Sequence, residues 1–226
     1  MSAPAAATRP RSEATSLAYN LGAILIIVVL AGIALAYAID AAGRAAKAPA
    51  ARVTGDTTLT RTLGGKDLAI PASWFRYAEQ RVEGFAKQID LRISLPLGAK
   101  DAPRPVDVTL LPRSAVRPSA RLLDGVYLHM FEEGELAGPH GLIGKPMKAA
   151  EGYEAETVWY DPLSGDPFVA KCGAAVAKGG QPRCLRAVYL APGIAAIYAF
   201  DFELLERWRE FDPRIRPWLE TIGVFN

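Results

Sequence analysis

Few residues in this chain have the types and spacing to do chemistry. Cys172 and Cys184 are its only thiols, within "KCGAAVAKGGQPRCLRAVYL" (171–190), and His129 and His140 are its only histidines. Two Cys and two His could arithmetically form a zinc site. Structural zinc sites, however, space paired Cys ligands two to four residues apart, and these two have eleven residues between them. A C-x-x-C redox pair is absent. Two buried, inert thiols are a further option. Placement favours pairing. Cys172 closes one strand-like run, "PFVAKC", and Cys184 opens the next, "CLRAVYLA". In an antiparallel hairpin such positions face each other, which suits the roughly 5.5–6 Å Cα separation of a disulfide. Closing a loop of this size contributes roughly 3 kcal/mol in the chain-entropy account. The expectation is a structural disulfide, and hence an oxidising compartment.

The other candidates are weaker. His129 sits in the hydrophobic run "YLHMF", and His140 in the glycine-flanked loop "GPHGL". Either could serve a hydrolase together with nearby carboxylates, which is the alternative functional reading. "EEGE" (132–135) lacks the dense, spaced oxygen array of a calcium loop. Asp161 and Asp166 in "YDPLSGDP" suit turns, and Ser164 lacks the G-x-S-x-G elbow. No phosphate-binding glycine loop, dinucleotide fingerprint or H-E-x-x-H occurs. No catalytic, cofactor-binding or metal-ligating residue is therefore assigned, and no cofactor is expected.

The elements that would position these residues begin with a hydrophobic segment. "LAYNLGAILIIVVLAGIALAYAI" (Leu17–Ile39) is 23 residues long with no charge. As a helix it would run roughly 34 Å, enough for a hydrocarbon core of about 30 Å. Tyr19 and Tyr37 lie near its ends, where aromatic rings prefer the interface. The segment reads as a single transmembrane helix. "AYA" (36–38) also resembles a signal-peptide cleavage site after Ala38, but the apolar stretch is too long for that pattern.

Charge supplies the orientation argument. Residues 1–52 hold Arg9, Arg11, Arg44, Lys47 and Arg52 against Glu13 and Asp40, a net of +3 in a chain of net +2. The Lys/Arg count slightly favours a cytoplasmic C-terminal side. The signal-anchor layout and the expected disulfide favour the opposite. We expect a bacterial inner-membrane protein with a cytoplasmic N-terminus and a periplasmic C-terminal domain. The near-neutral remainder lacks the clustered basic face that nucleic acid requires.

Residues 1–16, rich in Ala, Pro, Ser and Thr, read as a disordered tail, and 40–56 as a juxtamembrane extension and linker. The domain would span 57–226. Period-two alternation predicts strands over 58–63, 67–70, 89–97 and 105–112, with a Gly64–Gly65 hairpin turn. Four more are predicted at 156–161, 167–172, 184–191 and 194–201. A helix is expected from about Ser73 to Gly84. Residues 121–136 fit helix or strand, and 138–146 a loop. A second helix, 202–211, should place Leu204, Leu205, Trp208 and Phe211 inward and break at Asp212–Pro213 before a short terminal helix. The fold class is α+β: one mostly antiparallel domain with a C-terminal helix. Trp218, with Phe225, is a candidate contact patch, since Trp is enriched at interfaces.

These readings lead to a membrane-anchored, extracytoplasmic binding or scaffolding module whose partners are other envelope proteins. A weak homodimer is also suggested. Ala18 with Gly22 and Gly32 with Ala36 form small-xxx-small pairs, which let helices approach closely. Replacing Gly22 and Gly32 with Leu should abolish dimers in a membrane association assay, and unchanged association removes the idea.

Overall fold

The computed structural model describes residues 24–26, 28–37, 39, 57–149, 155–174 and 182–226. The chain divides into two units, Met1–Ala48 and Pro49–Asn226. In the first, the described residues between 24 and 39 are helical and solvent-exposed. Gly32 and Ala36 lie on this helix, whereas Ala18, Gly22 and Ala38 fall outside the described residues. Among the described residues no helix is long and apolar enough to cross a membrane.

The second unit is α+β. Its strands are β1 (Thr58–Leu63), β2 (Lys66–Pro71), β3 (Gly84–Phe85), β4 (Ile89–Pro96), β5 (Pro103–Pro112), β6 (Leu136–Ala137), β7 (Ile143–Pro146), β8 (Thr157–Tyr160), β9 (Val169–Gly173), β10 (Arg183–Ala191) and β11 (Ile194–Asp201). β1 to β3 form a small sheet in the order β2-β1-β3. The Gly64–Gly65 turn joining β1 to β2 has φ of 58° and 83°, the left-handed pair that a two-residue hairpin demands. The other eight strands form one antiparallel sheet in the order β4-β5-β11-β10-β9-β8-β7-β6.

Alternation sorts this sheet into two faces. Opposite partners Leu91, Val108 and Tyr198 share one face, as do Ile93 with Val106 and Cys184 with Phe200. All are buried in the main core. The C-terminal helix Trp208–Thr221 packs there through Phe211, Ile215 and Leu219, spaced four apart on one stripe. The other face is covered near β8 and β9 by residues 119–130. There Leu123 joins Val158, Val169 and Met147 in a second apolar cluster.

Away from that cover the second face holds buried charge. Asp107, in the middle of β5, is 5% exposed. Its carboxylate accepts hydrogen bonds from Arg92 (2.6 and 3.2 Å) and Arg183 (3.2 Å), and Arg76 lies 3.4 Å away. Burial opposes its charged form, but the Arg92 hydrogen bond and the three positive charges outweigh it and hold its pKa below the ordinary value. Next to it the buried Asp90 accepts from Thr109 (2.7 Å), Gln80 (2.8 Å) and Gln88 (2.7 Å).

These bonds overturn the helix expected from Ser73 to Gly84. The segment makes only two 3-10 turns, Ala72–Trp74 and Ala78–Gln80, with Tyr77 extended between them. Arg76 donates its backbone N–H to the Asp90 carbonyl (2.9 Å), and Phe75 bridges to Leu91. Pairing along β4 thus replaces the internal bonds of a helix. Residues 138–146 are likewise not all loop, because β7 occupies their second half. Residues 121–130 resolve as helix, with a π-helical turn at Leu123–Tyr127. Finally, Phe202–Arg207 is a 3-10 helix, and the α-helix that follows runs without a break through Pro213 and Pro217. Asp212 does not cap a new helix; its side chain is engaged by Arg186.

Replacing Asp107 with Asn should lower stability at pH 7 by about 2–3 kcal/mol, the scale of hydrogen bonds to charged groups. A carboxyl whose folded pKa is depressed adds stability that is complete above its unfolded value of about 3.9 and fades as pH falls through the folded value. The gap between the two proteins in urea titrations should therefore begin to close only below about pH 4 and vanish once the pH lies under the folded value. A gap that does not change with pH would show that charge is not its source.

Candidate functional site

β10 is paired with β11 over its whole length, but with β9 only where Arg183, Cys184 and Leu185 face Gly173, Cys172 and Lys171. Beyond Leu185 the two strands splay. Ser119, 5% exposed, fills the start of the opening, and its Oγ accepts the backbone N–H of Ala187 at 2.9 Å. Cavities of about 240 and 550 Å³ lie along the splayed part of β10 and share Asp166, Arg186, Val188 and Tyr189. The larger runs under the C-terminal helix to Ile215, Leu219 and Phe225. Its size and its mainly apolar walls with a few polar groups fit a binding cleft.

Arg186 is the central polar group. It stands on the core face of β10, two residues from Cys184, and is only 8% exposed. Its guanidinium makes a two-pronged hydrogen-bonded pair with Asp212 of the C-terminal helix, one arm at 2.8 Å. It also lies 4.5 Å from the Phe168 ring centroid. Tyr198, directly opposite Arg186 on β11, is 1% exposed and borders the same cavity. Burial pushes its phenol pKa up, with Arg186 opposing and Asp212 adding. Among the described residues its hydroxyl has no hydrogen-bond partner, yet it is not sealed from solvent. It is a donor directed into the cleft.

The closed end of the splay is the disulfide. Cys172 and Cys184 are bonded, S–S 2.02 Å, with Cα atoms 3.9 Å apart, on directly opposed positions. This is nearer than the 5.5–6 Å expected and belongs with the narrow class of antiparallel pairs. Both residues belong to the main core.

Of the remaining candidates only Asp166 and Phe225 border the cleft. His129 and His140 are both exposed. The His129 carbonyl accepts Lys148 Nζ (3.0 Å), and the His140 carbonyl accepts Trp208 Nε1 (3.1 Å) and Arg209 (3.2 Å). Neither imidazole has a carboxylate or hydroxyl partner among the described residues. Ser164, Asp161 and Asp166 bond within their own turn. Glu135 pairs with Lys145 at 3.0 Å. Among the described residues no three His, Cys, Asp or Glu are grouped to hold a metal. Trp218 packs on Trp74, ring centroids 4.9 Å apart, partly covered by the core. Phe225, under Arg216 at 4.8 Å, borders the cleft.

Sequence reasoning passed over Arg186, Tyr198 and Asp212. One signal was present: Arg186 shares the parity of Cys184 and Val188 along β10, so a charge stood at an inward position. Nothing local announces that Asp212 meets it. The chain matches no protein-family model, no curated protein and no solved structure.

The pair has an asymmetric test. Asp212→Ala strands a buried guanidinium and should cost about 2 kcal/mol, less than the 3–5 of a fully buried pair because Asp212 is 55% exposed. The double variant Arg186→Met/Asp212→Ala should recover part of that loss in urea unfolding. A double variant less stable than the single one would rule out this account of the pair.

Proposed function

We propose that this chain is a single-pass membrane protein, inserted through Leu17–Ile39, with its N-terminus in the cytoplasm. Its α+β domain then lies in the periplasm of a bacterial-type envelope as a binding or scaffolding module. The observation that carries the compartment is the Cys172–Cys184 disulfide, because such bonds persist in oxidising environments. The apolar length of Leu17–Ile39 supports the anchor. The cleft along β10 supports binding: it offers a donor, a fixed ion pair and apolar walls, but no nucleophile set beside a base. No observation favours the hydrolase reading with His129 or His140.

The test is thiol alkylation of freshly isolated membranes. Both cysteines are at most 4% exposed, so native labelling would miss even free thiols, and the reaction must be run in denaturant. The expected result is no labelling before reduction and two labels per chain after it. Protease added outside the cytoplasmic membrane should digest the domain. Free thiols, or a domain protected with the cytoplasm, would overturn the proposal. Replacing both cysteines with Ser should destabilise the domain by roughly 2–5 kcal/mol without unfolding it.

A further inference from the structure

We infer that the open edge of β10 is a docking site for an extended, acidic segment of a partner protein, which adds to the sheet as a strand beside Tyr189. This deepens the binding-module reading and rests on it.

The first observation is the edge. Pairing with β9 ends at Leu185, so the rest of β10 faces no strand on that side. Backbone groups alternate in direction along a strand. The Ala187 N–H points to the open side, where Ser119 takes it at 2.9 Å, and Tyr189, two residues on, points the same way. Among the described residues nothing pairs with the Tyr189 backbone there. An unpaired edge of this kind is a template for another chain. Cavities lie along it to receive alternate side chains, and the Tyr198 hydroxyl waits in the larger one.

The second observation is charge. Arg113, Arg117 and Arg121 are exposed and pair with no carboxylate among the described residues. All three lie beside the edge. Arg113 stacks on the Tyr189 ring at 4.0 Å, and Arg121 lines the smaller cavity. Arg117 sits between Val116, whose carbonyl accepts the Tyr189 hydroxyl at 3.1 Å, and Pro118 of the cavity wall. Elsewhere the domain's arginines are mostly matched, as Arg76, Arg92, Arg183, Arg186 and Arg207 are. Asp166 lines the smaller cavity with Arg121, and Asp212 of the larger one is taken by Arg186, so the rim holds more positive than negative charge. Carboxylates on an incoming strand would meet this rim, and their charge would also speed encounter.

The experiment uses the full chain in detergent micelles and three fluorescein-labelled octapeptides: alternating Glu-Val, alternating Lys-Val and alternating Glu-Pro. The Glu-Pro peptide keeps the charge but lacks half the backbone donors and cannot form a strand. Anisotropy should show the Glu-Val peptide binding at least tenfold more tightly than either control. Hydrogen exchange at the Tyr189 amide should slow at least tenfold in its presence. The surface variant Arg113→Glu/Arg117→Glu/Arg121→Glu should lose at least tenfold in affinity while its unfolding midpoint stays close to that of the parent. Equal binding of the Glu-Pro peptide, or binding without protection at Tyr189, would overturn strand addition. Equal binding of the Lys-Val peptide would overturn the acidic partner. Capture by anionic vesicles with no peptide binding would replace the protein partner with a lipid surface and defeat the inference. Peptide binding is independent of compartment, so its failure is distinguishable from that of thiol labelling.

Discussion

A carboxylate in the middle of a β-strand must be met by positive charge, and Asp107 is met from three directions. Arg92 reaches it from the neighbouring strand, Arg183 from β10 across the intervening β11, and Arg76 from the segment before β4. Those three contacts fix more than one residue. They link side chains from three of four adjacent strands, β4, β5 and β10, and tie the irregular segment before β4 to the sheet through Arg76. An apolar residue at 107 would remove the need for any of them, and a buried ion pair is often no more stable than well-packed hydrocarbon. What the carboxylate adds is a requirement for one arrangement of its partners.

The opposite face shows how a second ion pair is used differently. Arg186 and Asp212 join β10 to the C-terminal helix through a group that would otherwise be an uncompensated buried charge. The pair spans from β10 to the helix along the part of β10 that β9 no longer flanks. Phe211 of the same helix packs in the core, on Phe200 at 4.8 Å and near Tyr198 at 5.5 Å. The disulfide closes the end where β9 and β10 part. Of these features the ion pair borders the cleft itself, while the disulfide and the aromatic stack lie in the core beside it.

Much of the sheet was legible because each strand carried its own evidence. Ile89, Leu91, Ile93 and Leu95 alternate, and all four are buried. Cys172 and Cys184 stood at strand ends, and the register brought them face to face. The failures share a cause. "PASWFRYAEQ" has acceptable helix composition, but Asp90 and Leu91, ten or more residues away, compete for its backbone and for Gln80. Pro213 marks a break by local rules, yet burial of Phe211, Ile215 and Leu219 on one stripe carries the helix through it. The cleft could not be seen at all. It combines residues from 118 to 225, and its defining feature is pairing that stops partway along a strand.

The hairpin of β1 and β2 is closed by residues far along the chain. Ala69 donates its N–H to the Ile222 carbonyl at 3.2 Å, and Lys66 reaches the carbonyls of Val224 (3.2 Å) and Asn226 (2.6 Å). Ile222 and Val224 are themselves core residues. Synthesis makes the hairpin first, but these partners arrive only after roughly 150 further residues, many seconds later at ribosomal speeds. Until then Leu63, Leu68 and Ile70 have no complete core to enter. The packing of this hairpin therefore cannot be completed before residues 219–226 are made, although its own strands are among the first of the domain to be synthesised.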